Sequence, residues 1–478
     1  MTSMRTLLTA AAISWSLFGQ ASAQVSDPTG VIASDNAALL GTIPEPGVIG
    51  ARFRGDVMYV TSVSGLSTYD ISDPASPQPL GRLALPHFEN EDVDLGGDIL
   101  LISNDSAESL GVLHVIDIAD PAAPALRSVL PYSGNSNAAL AQFFGGPGHT
   151  ASCVLDCTFA WVSDGGGIRV IDLRDPDAPR EVGSFPVAAG GLAVHDVQVD
   201  GDGLVWVAAF GGTSAYRLPA GYEGTGLGTL VARTNAQGAS RYAETFGLDD
   251  GSTYNDFIHH NSHRRAGDDV VFITEEDYSR PGCRGAGSFQ AWSLPVDESG
   301  SPTGAEMTPL DKWETELLQD TAQPAAMCSA HYFDLRSNVV AQGWYEQGVR
   351  LLDVSDPADI RQIGYFILPT SAMWAAHWAP TDPKGRILYA LDASHGIDVL
   401  EFDRPTEGPL AEPALCTPKK DKGKDNGKGK KKGHDKQACQ GEERPEPVDA
   451  PILPAWLGTA TAAGAPSPVF GYACRIRL

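Results

Sequence analysis

The stretch GIRVIDLRDPDAPREVGSFPV, residues 167–187, contains the pattern that decides the fold. It begins with a glycine, continues as an apolar segment of strand length, turns at Asp175-Pro176 and ends with a second short apolar segment. Asp-Pro between two β-like segments is a turn signal, because the proline ring fixes φ and the aspartate side chain accepts hydrogen bonds from nearby backbone N–H groups. Related stretches begin at Gly65, Gly111, Gly348 and Gly396.

Another apolar segment precedes each copy, so one unit supplies about four short strands and recurs every ~40 to 50 residues, the period of β-propeller blades. We count seven units, of which the two starting near residues 192 and 256 have degraded Asp-Pro turns. The segments are too short, β-branched and proline-bounded for a helical solenoid. The sequence therefore predicts an all-β fold, a seven-bladed β-propeller over residues 36–405.

The N-terminal end of the mature chain predicts how this ring closes. The stretch NAALLGTIPEP, residues 36–46, matches the last strand of the unit, and the last unit lacks that strand after Pro405. We expect an N-terminal strand to complete the last blade, since closure removes the open sheet edge that a ring would otherwise expose.

Because of these repeats, the chain resembles the LVIVD-repeat family of bacterial surface and exported proteins. The resemblance rests on the pattern IxVxDxxDPxxP and extends over roughly residues 36–405. It implies propeller architecture, and it implies little about chemistry, because one fold carries many functions.

The two ends of the chain differ from the repeats. Residues 1–23 combine Arg5, an apolar stretch and a final Ala-Ser-Ala, which predicts a cleaved signal peptide and a secreted, periplasmic or cell-surface protein. No other segment is apolar for long enough to span a membrane. Residues 406–447 form a Pro/Lys-rich segment predicted to be disordered, and residues 448–478 form a C-terminal tail.

Charge restricts the partners. The formal net charge of −26 argues against nucleic acid, which needs a basic face. The exception is the stretch 417–436, where nine lysines stand against three aspartates, so contact with an anionic surface through this segment is an open alternative to a plain disordered linker.

Seven cysteines in an exported chain predict disulfides with one thiol left over. Three pairs are plausible and Cys474 is the odd residue: Cys153 with Cys157, Cys283 with Cys328, and Cys416 with Cys439. Sequence alone does not fix this connectivity.

Histidines recur at one position of the unit, near the start of the innermost strand, which lines the channel of a propeller. Four of them lie 11 or 12 residues before an aromatic residue of the second strand, and His331 lies about ten before Ala341. The predicted metal ligands are His149, His195, His260, His331 and His377. Imidazoles from different blades gathered at one axis suit Cu, Zn or Fe. The alternative for each histidine is a hydrogen-bonded turn cap.

Carboxylates are predicted on the same rim. Glu91 holds the histidine position in the second unit, and three more follow second strands: Asp164, Glu275 and Asp392. Glu276, Asp277 and His395 are nearby in sequence. These carboxylates suit orientation of the imidazoles or acid–base catalysis. The alternative is a solvated acidic rim. His259 is a weaker candidate ligand, because strand alternation turns it away from the axis.

These patterns favour an exported propeller with a His-rich transition-metal site at the central channel, and a metal-dependent enzyme that acts on a small molecule. The arrangement is similar in layout to the metal centres of carotenoid oxygenases and of the selenium-binding-protein type of methanethiol oxidase, which would favour an oxidoreductase over a hydrolase. No stretch matches those families, so the reaction is not carried over. The alternatives are a non-catalytic interaction or adhesion propeller and a periplasmic metal carrier.

Overall fold

The computed structural model describes residues 30–45, 47–85, 93–104, 112–131, 148–242, 254–277, 287–315, 328–368 and 370–403. Within these ranges the chain is all β, with a 3-10 helix at Ala236–Gly238 and no α-helix. Several predictions lie outside the described residues: those on Glu91, Cys283, Cys416, Cys439 and Cys474, the signal peptide 1–23, and segments 406–447 and 448–478.

The strands follow one another closely along the chain. In order they are β1 Ile32–Ala33, β2 Ala37–Ile43, β3 Val48–Arg54, β4 Val57–Ser62, β5 Gly65–Asp70, β6 Gln78–Ala84, β7 Val93–Gly96, β8 Ile99–Ser103, β9 Leu113–Asp117, β10 Ala125–Leu130, β11 Ala151–Val154, β12 Phe159–Asp164, β13 Gly167–Asp172, β14 Arg180–Pro186, β15 Val194–Val199, β16 Leu204–Ala209, β17 Gly212–Arg217, β18 Thr229–Thr234, β19 Ile258–His263, β20 Val270–Glu276, β21 Ser288–Ser293, β22 Glu306–Trp313, β23 Phe333–Arg336, β24 Val339–Gly343, β25 Val349–Asp353, β26 Arg361–Ile367, β27 Met373–Trp378, β28 Ile387–Asp392 and β29 Gly396–Phe402.

Consecutive strands pair into four-stranded antiparallel sheets: β3 to β6, β7 to β10, β11 to β14, β15 to β18, β19 to β22, and β23 to β26. A further sheet has the order β2-β29-β28-β27, so a strand from the N-terminal end completes the last sheet. Its register runs from Ala37 opposite Phe402 to Ile43 opposite Ile397. The predicted pairing of this N-terminal strand is therefore present.

Two features of the sheets were not predicted. Strand β1 adds to the outer edge of β26, with Ile32 opposite Ile367. Strands β18 and β22 make a short parallel pair, which joins two neighbouring four-stranded sheets. Both are contacts at sheet edges, which the period-2 pattern of a single strand does not encode.

The repeated Asp-Pro turns form as the sequence predicts. The Asp175 carboxylate accepts a hydrogen bond from the Asp177 backbone N–H at 3.2 Å, and the Asp175 carbonyl accepts one from Ala178. Asp73, Asp120 and Asp356 accept equivalent backbone hydrogen bonds. The side chain thus supplies an acceptor where the backbone leaves the sheet.

The glycine that opens each copy is required by the backbone. Gly65 has φ of 134°, and a Cβ there would collide with the carbonyl oxygen of Leu83 on the neighbouring strand. Gly396 has φ of 117° and the same relation to Ile43. Any other residue would be strained at these positions.

The core lies between the sheets. Aromatic residues of the second strands are fully buried, among them Tyr59, Trp161, Trp206 and Tyr389. Packing on both faces explains why most strands read as continuous apolar segments rather than alternating ones.

The innermost strands carry a shared irregularity. In β3, β15, β19 and β27 the pairing with the second strand shifts register near the start of the strand. Such bulges re-aim a side chain. The residues that fall at this position are Ile49, His195, His260 and Trp374.

Candidate metal centre

Four of the predicted histidines come together. The ring centroids of His149 and His195 are 4.4 Å apart, those of His195 and His260 are 4.1 Å apart, and those of His260 and His331 are 4.1 Å apart. These residues come from four successive sheets and span 182 positions of the chain. All four are buried.

The bulge position explains this convergence. His195 and His260 lie in register shifts of β15 and β19. His149 and His331 hold the corresponding place just before β11 and β23, where the backbone N–H of Gly148 and of His331 each donates to the second strand. Four successive sheets therefore each bring one imidazole to the same cluster.

The Nε2 atoms of His149 and His195 are 3.0 Å apart. Ligands bound at about 2.1 Å and separated by 90 to 110° at a metal lie about 3.0 to 3.4 Å from each other. The same distance suits a hydrogen bond between two neutral imidazoles, in which one nitrogen donates and the other accepts.

Glu276 is the carboxylate of this group. One carboxylate oxygen lies 3.5 Å from Nε2 of His195, and the other lies 3.9 Å from Nε2 of His331. One ligand atom from each of His195, His260 and Glu276 lies within 4.8 Å of the other two. We call His149, His195, His260, His331 and Glu276 the ring cluster.

Neighbouring groups fix the orientation of the ring cluster. Nδ1 of His331 lies 2.8 Å from the carbonyl oxygen of Trp374 and donates to it, which turns Nε2 toward Glu276. The hydroxyl of Tyr345 donates to the same Glu276 oxygen. Such outer hydrogen bonds set the tautomer and direction of metal-binding side chains.

The fifth predicted ligand, His377, lies elsewhere. It is near the end of β27, and its ring packs edge-on against Phe53 with centroids 5.8 Å apart. The bulge position of β27 is held by Trp374, three residues earlier, and this indole packs against His331 at 4.7 Å. Counting back 12 residues from Tyr389 stops at His377, three residues short of the bulge position. The count fails here because the hairpin of residues 379–386 is longer than those between the first two strands of the other sheets.

His377 belongs instead to a second group of polar side chains deeper along the inner strands, which we call the Arg52 cluster: Arg52, Asp94, His263, Asp334 and His377. The guanidinium Nε of Arg52 lies 3.6 Å from Asp94. Burial lowers the pKa of His377 to about 3 and that of His263 to about 4, and the charge of Arg52 adds to both shifts. Burial raises the pKa of Asp94 and of Asp334, and Arg52 opposes both shifts.

Three of the predicted catalytic carboxylates, Glu275, Asp164 and Asp392, do not join the ring cluster, and the fourth, Glu91, lies outside the described residues. Glu275 accepts hydrogen bonds from the Asp256 N–H at 2.5 Å and from the Ser288 hydroxyl at 2.8 Å, on the other side of β20 from Glu276. Burial, helped by Asp256, raises its pKa well above the usual value. Asp164 pairs with Arg169 at 3.3 Å.

Asp392 accepts from the Ser371 hydroxyl at 2.7 Å and from nearby backbone N–H groups. It belongs with His395 and Asp398 in a separate group of possible ligands. Strand alternation, together with the dyad Glu275-Glu276, was the signal that could have selected Glu276 in place of Glu275.

His259 and the cysteines behave as the sequence suggested. His259 faces away from the ring cluster, with Nδ1 3.0 Å from the Thr213 hydroxyl and Nε2 2.9 Å from the Tyr254 carbonyl. Cys328 is disulfide-bonded. Cys153 and Cys157 form the predicted disulfide across the hairpin between β11 and β12.

Comparisons with known proteins agree with the fold. The family model of the LVIVD repeat matches residues 53–84, which is the predicted resemblance over one repeat. The β-propeller domain of Cps50 (Swd1) from Myceliophteria thermophila is similar with a TM-score of 0.53 and 10% identity, covering 77% of this chain and 100% of that one. The computationally designed protein Ika8 gives a TM-score of 0.41 and 11% identity, covering 74% of this chain and 83% of that one. No curated protein matches the sequence.

The chain is thus an all-β protein of β-propeller fold that contains an LVIVD repeat and a buried histidine group able to hold a metal. Within the described residues there is no helix long and apolar enough to cross a membrane.

Proposed function

We propose that this protein is an exported seven-bladed β-propeller that binds a transition metal at the ring cluster and uses it as an enzyme on a small molecule, with oxidoreductase chemistry favoured over hydrolysis. The observation that carries the proposal is the convergence of four imidazoles from the starts of inner strands far apart in sequence with one carboxylate from the end of β20.

The seven-bladed arrangement is supported by the pairing of the strands. Each four-stranded meander supplies one blade, with its first strand innermost. The sheet formed by β2, β29, β28 and β27 combines the two ends of the repeat region, and β3 packs against β27 and β28. First and last blades are therefore neighbours, as a closed ring requires.

Export is supported by the signal-like residues 1–23 and by the Cys153–Cys157 disulfide, since disulfides persist in oxidising compartments. A secreted, periplasmic or cell-surface location follows from this proposal.

The donor set fits a transition metal better than a hard cation. Several neutral nitrogen donors with one carboxylate suit Cu, Zn or Fe, whereas Mg²⁺ and Ca²⁺ prefer oxygen ligands. A metal held there with an open position would supply Lewis acidity or activation of dioxygen. His331 donates through Nδ1 to a backbone carbonyl, which turns Nε2 toward Glu276, and Tyr345 holds Glu276 in place.

The contacts made by the carboxylates favour redox chemistry over hydrolysis. Hydrolysis needs a general base beside the metal. Among the described residues, Glu276 is the carboxylate in the ring cluster, and it is already held by Tyr345, while Glu275 and Asp164 are engaged elsewhere. The site therefore suits a reaction in which the chain positions ligands more than it moves protons.

Metal analysis of untagged, full-length protein tests the proposal. We expect about one transition-metal ion per chain at the ring cluster, with His195→Ala and His260→Ala each reducing its occupancy while unfolding stays cooperative. His259→Gln is the matched control, because its imidazole neighbours His260 in sequence and faces the other way. Absence of stoichiometric metal would remove both the enzyme and the metal-carrier hypotheses and leave an interaction or adhesion module.

A further inference from the structure

A second group of possible ligands lies at the hairpin between β28 and β29 and shares no residue with the ring cluster. Asp392 ends β28, His395 is in the turn, and Asp398 is on β29. One ligand atom of each lies within 4.8 Å of the other two. Asp392 and Asp398 are fully buried, whereas the side chain of His395 is 25% exposed and gives the group a route to solvent.

The charge balance of this hairpin differs from that of the equivalent hairpin in the sheet of β11 to β14. In that hairpin Asp164 is the last residue of β12. Arg169 is on β13, opposite Val162 of β12, and lies 3.3 Å from Asp164. In the last sheet Asp392 and Asp398 hold the corresponding positions. Asp398 thus holds the position of Arg169, whose guanidinium neutralises Asp164 in the other hairpin.

One oxygen of Asp398 also lacks a partner. Oδ1 accepts from the Thr42 hydroxyl at 2.5 Å, but Oδ2 is buried with no hydrogen-bond donor among the described residues. A buried carboxylate oxygen without a donor or a cation is costly.

Local hydrogen bonds hold the other two ligands in place. Oδ1 of Asp392 accepts from the backbone N–H of Ala372 at 3.1 Å and of Ser394 at 2.9 Å. Nε2 of His395 lies 3.3 Å from the Thr370 hydroxyl, and Nδ1 lies 3.3 Å from Oδ2 of Asp392. The hairpin therefore presents an imidazole and two carboxylates in a fixed arrangement.

From these observations we propose that Asp392, His395 and Asp398 form a second divalent-metal site, which takes a Zn²⁺- or Mn²⁺-class ion. Two carboxylates and one imidazole suit such ions, and the ion supplies the positive charge that Arg169 supplies in the other hairpin. The site goes beyond the proposed function and does not depend on it.

Zn²⁺ titration of chelator-stripped, full-length protein by calorimetry tests this site. We expect two ions per wild-type chain. Asp398→Asn and His395→Gln should each weaken one of them by tenfold or more and leave the other unchanged. Glu401→Gln is the matched control, since it lies on the same strand and pairs with Arg386 outside the group. His395→Gln keeps the test informative if Asp398→Asn fails to fold, because His395 is partly exposed.

The His195→Ala background separates the two sites. If the hairpin site exists, this variant still binds one Zn²⁺, which His395→Gln then removes. If wild type, Asp398→Asn and His395→Gln bind Zn²⁺ with the same stoichiometry and affinity, the proposed site is overturned, whatever happens at the ring cluster.

Discussion

The Nε2 atoms of His149 and His195 lie 3.0 Å apart, although the residues are 46 positions apart in the chain and belong to different sheets. Two imidazoles approach this closely when a proton or a metal ion lies between them. The bulge in β15 places His195 at this contact, and His149 meets it from the turn just before β11.

Tyr345→Phe tests whether outer hydrogen bonds orient the ring cluster. The substitution removes the hydroxyl that donates to Glu276 and keeps the ring that packs against His331. We expect metal affinity to fall about 10- to 100-fold with little change in Tm. A competition titration with a chromogenic chelator measures it.

Tyr222→Phe serves as the control, because it removes a hydroxyl bonded to the Gly226 carbonyl, away from the cluster. Equal metal affinity of the Tyr345→Phe variant and wild type would mean that the Tyr345 hydroxyl does not support metal binding by Glu276.

Substitution of single carboxylates tests the assignment of Glu276. Glu276→Gln should reduce metal affinity, because Gln is a weaker ligand than a carboxylate. Glu275→Gln should leave affinity unchanged, since Glu275 faces Asp256 and Ser288. Asp164→Asn should also leave it unchanged. Equilibrium dialysis against Zn²⁺ distinguishes these variants, and a larger loss with Glu275→Gln than with Glu276→Gln would reverse the assignment.

Acid stability tests the Arg52 cluster. In the unfolded chain His377 and His263 bind protons near pH 6.5, but in the folded chain their pKa values are about 3 and about 4. The unfolded state therefore takes up protons first as the pH falls below about 6.5, and the free energy of unfolding decreases toward pH 4.

His377→Gln removes one of these groups, so its free energy of unfolding should fall less steeply between pH 6.5 and 4, by on the order of 2 kcal/mol relative to wild type. Urea denaturation at several pH values measures this slope. The variant should also keep its metal affinity at neutral pH. Parallel pH profiles would show that His377 titrates normally in the folded protein.

Removal of the N-terminal strand tests ring closure. A chain starting at residue 44 lacks β2, which exposes the edge of β29 and uncovers Val399 and Leu400. We expect a large decrease in Tm and aggregation, because an unpaired strand edge pairs with other chains. A chain starting at residue 34 lacks β1 alone and serves as the control. Equal Tm values and monodisperse elution of both would contradict closure by β2.

The repeats predicted the fold well because each one contains its own turn chemistry. Asp175 and its counterparts accept the expected backbone hydrogen bonds, and Gly65 needs the conformation that glycine alone adopts freely. Sheet-edge contacts such as β18 with β22 depend on how neighbouring sheets sit together, so the strand pattern did not contain them.

The site was predictable only in part, because a channel position depends on bulges and hairpin lengths. Where the hairpin between the first two strands is short, the counted position is the residue that joins the cluster, as at His195. The longer hairpin after β27 shifted the count, so His377 was chosen and Trp374 holds the position. Glu276 was overlooked in favour of Glu275 because a one-residue step reverses the face of a strand.

An anomalous-scattering crystal structure of the full-length protein loaded with Zn²⁺ tests the central claim most directly. The account predicts an anomalous peak about 2.1 Å from ligand atoms of His195, His260 and Glu276, with His149 or His331 completing the coordination. The account would be contradicted if, after exposure to saturating Zn²⁺, these imidazoles hydrogen-bond to one another and no anomalous peak lies between them.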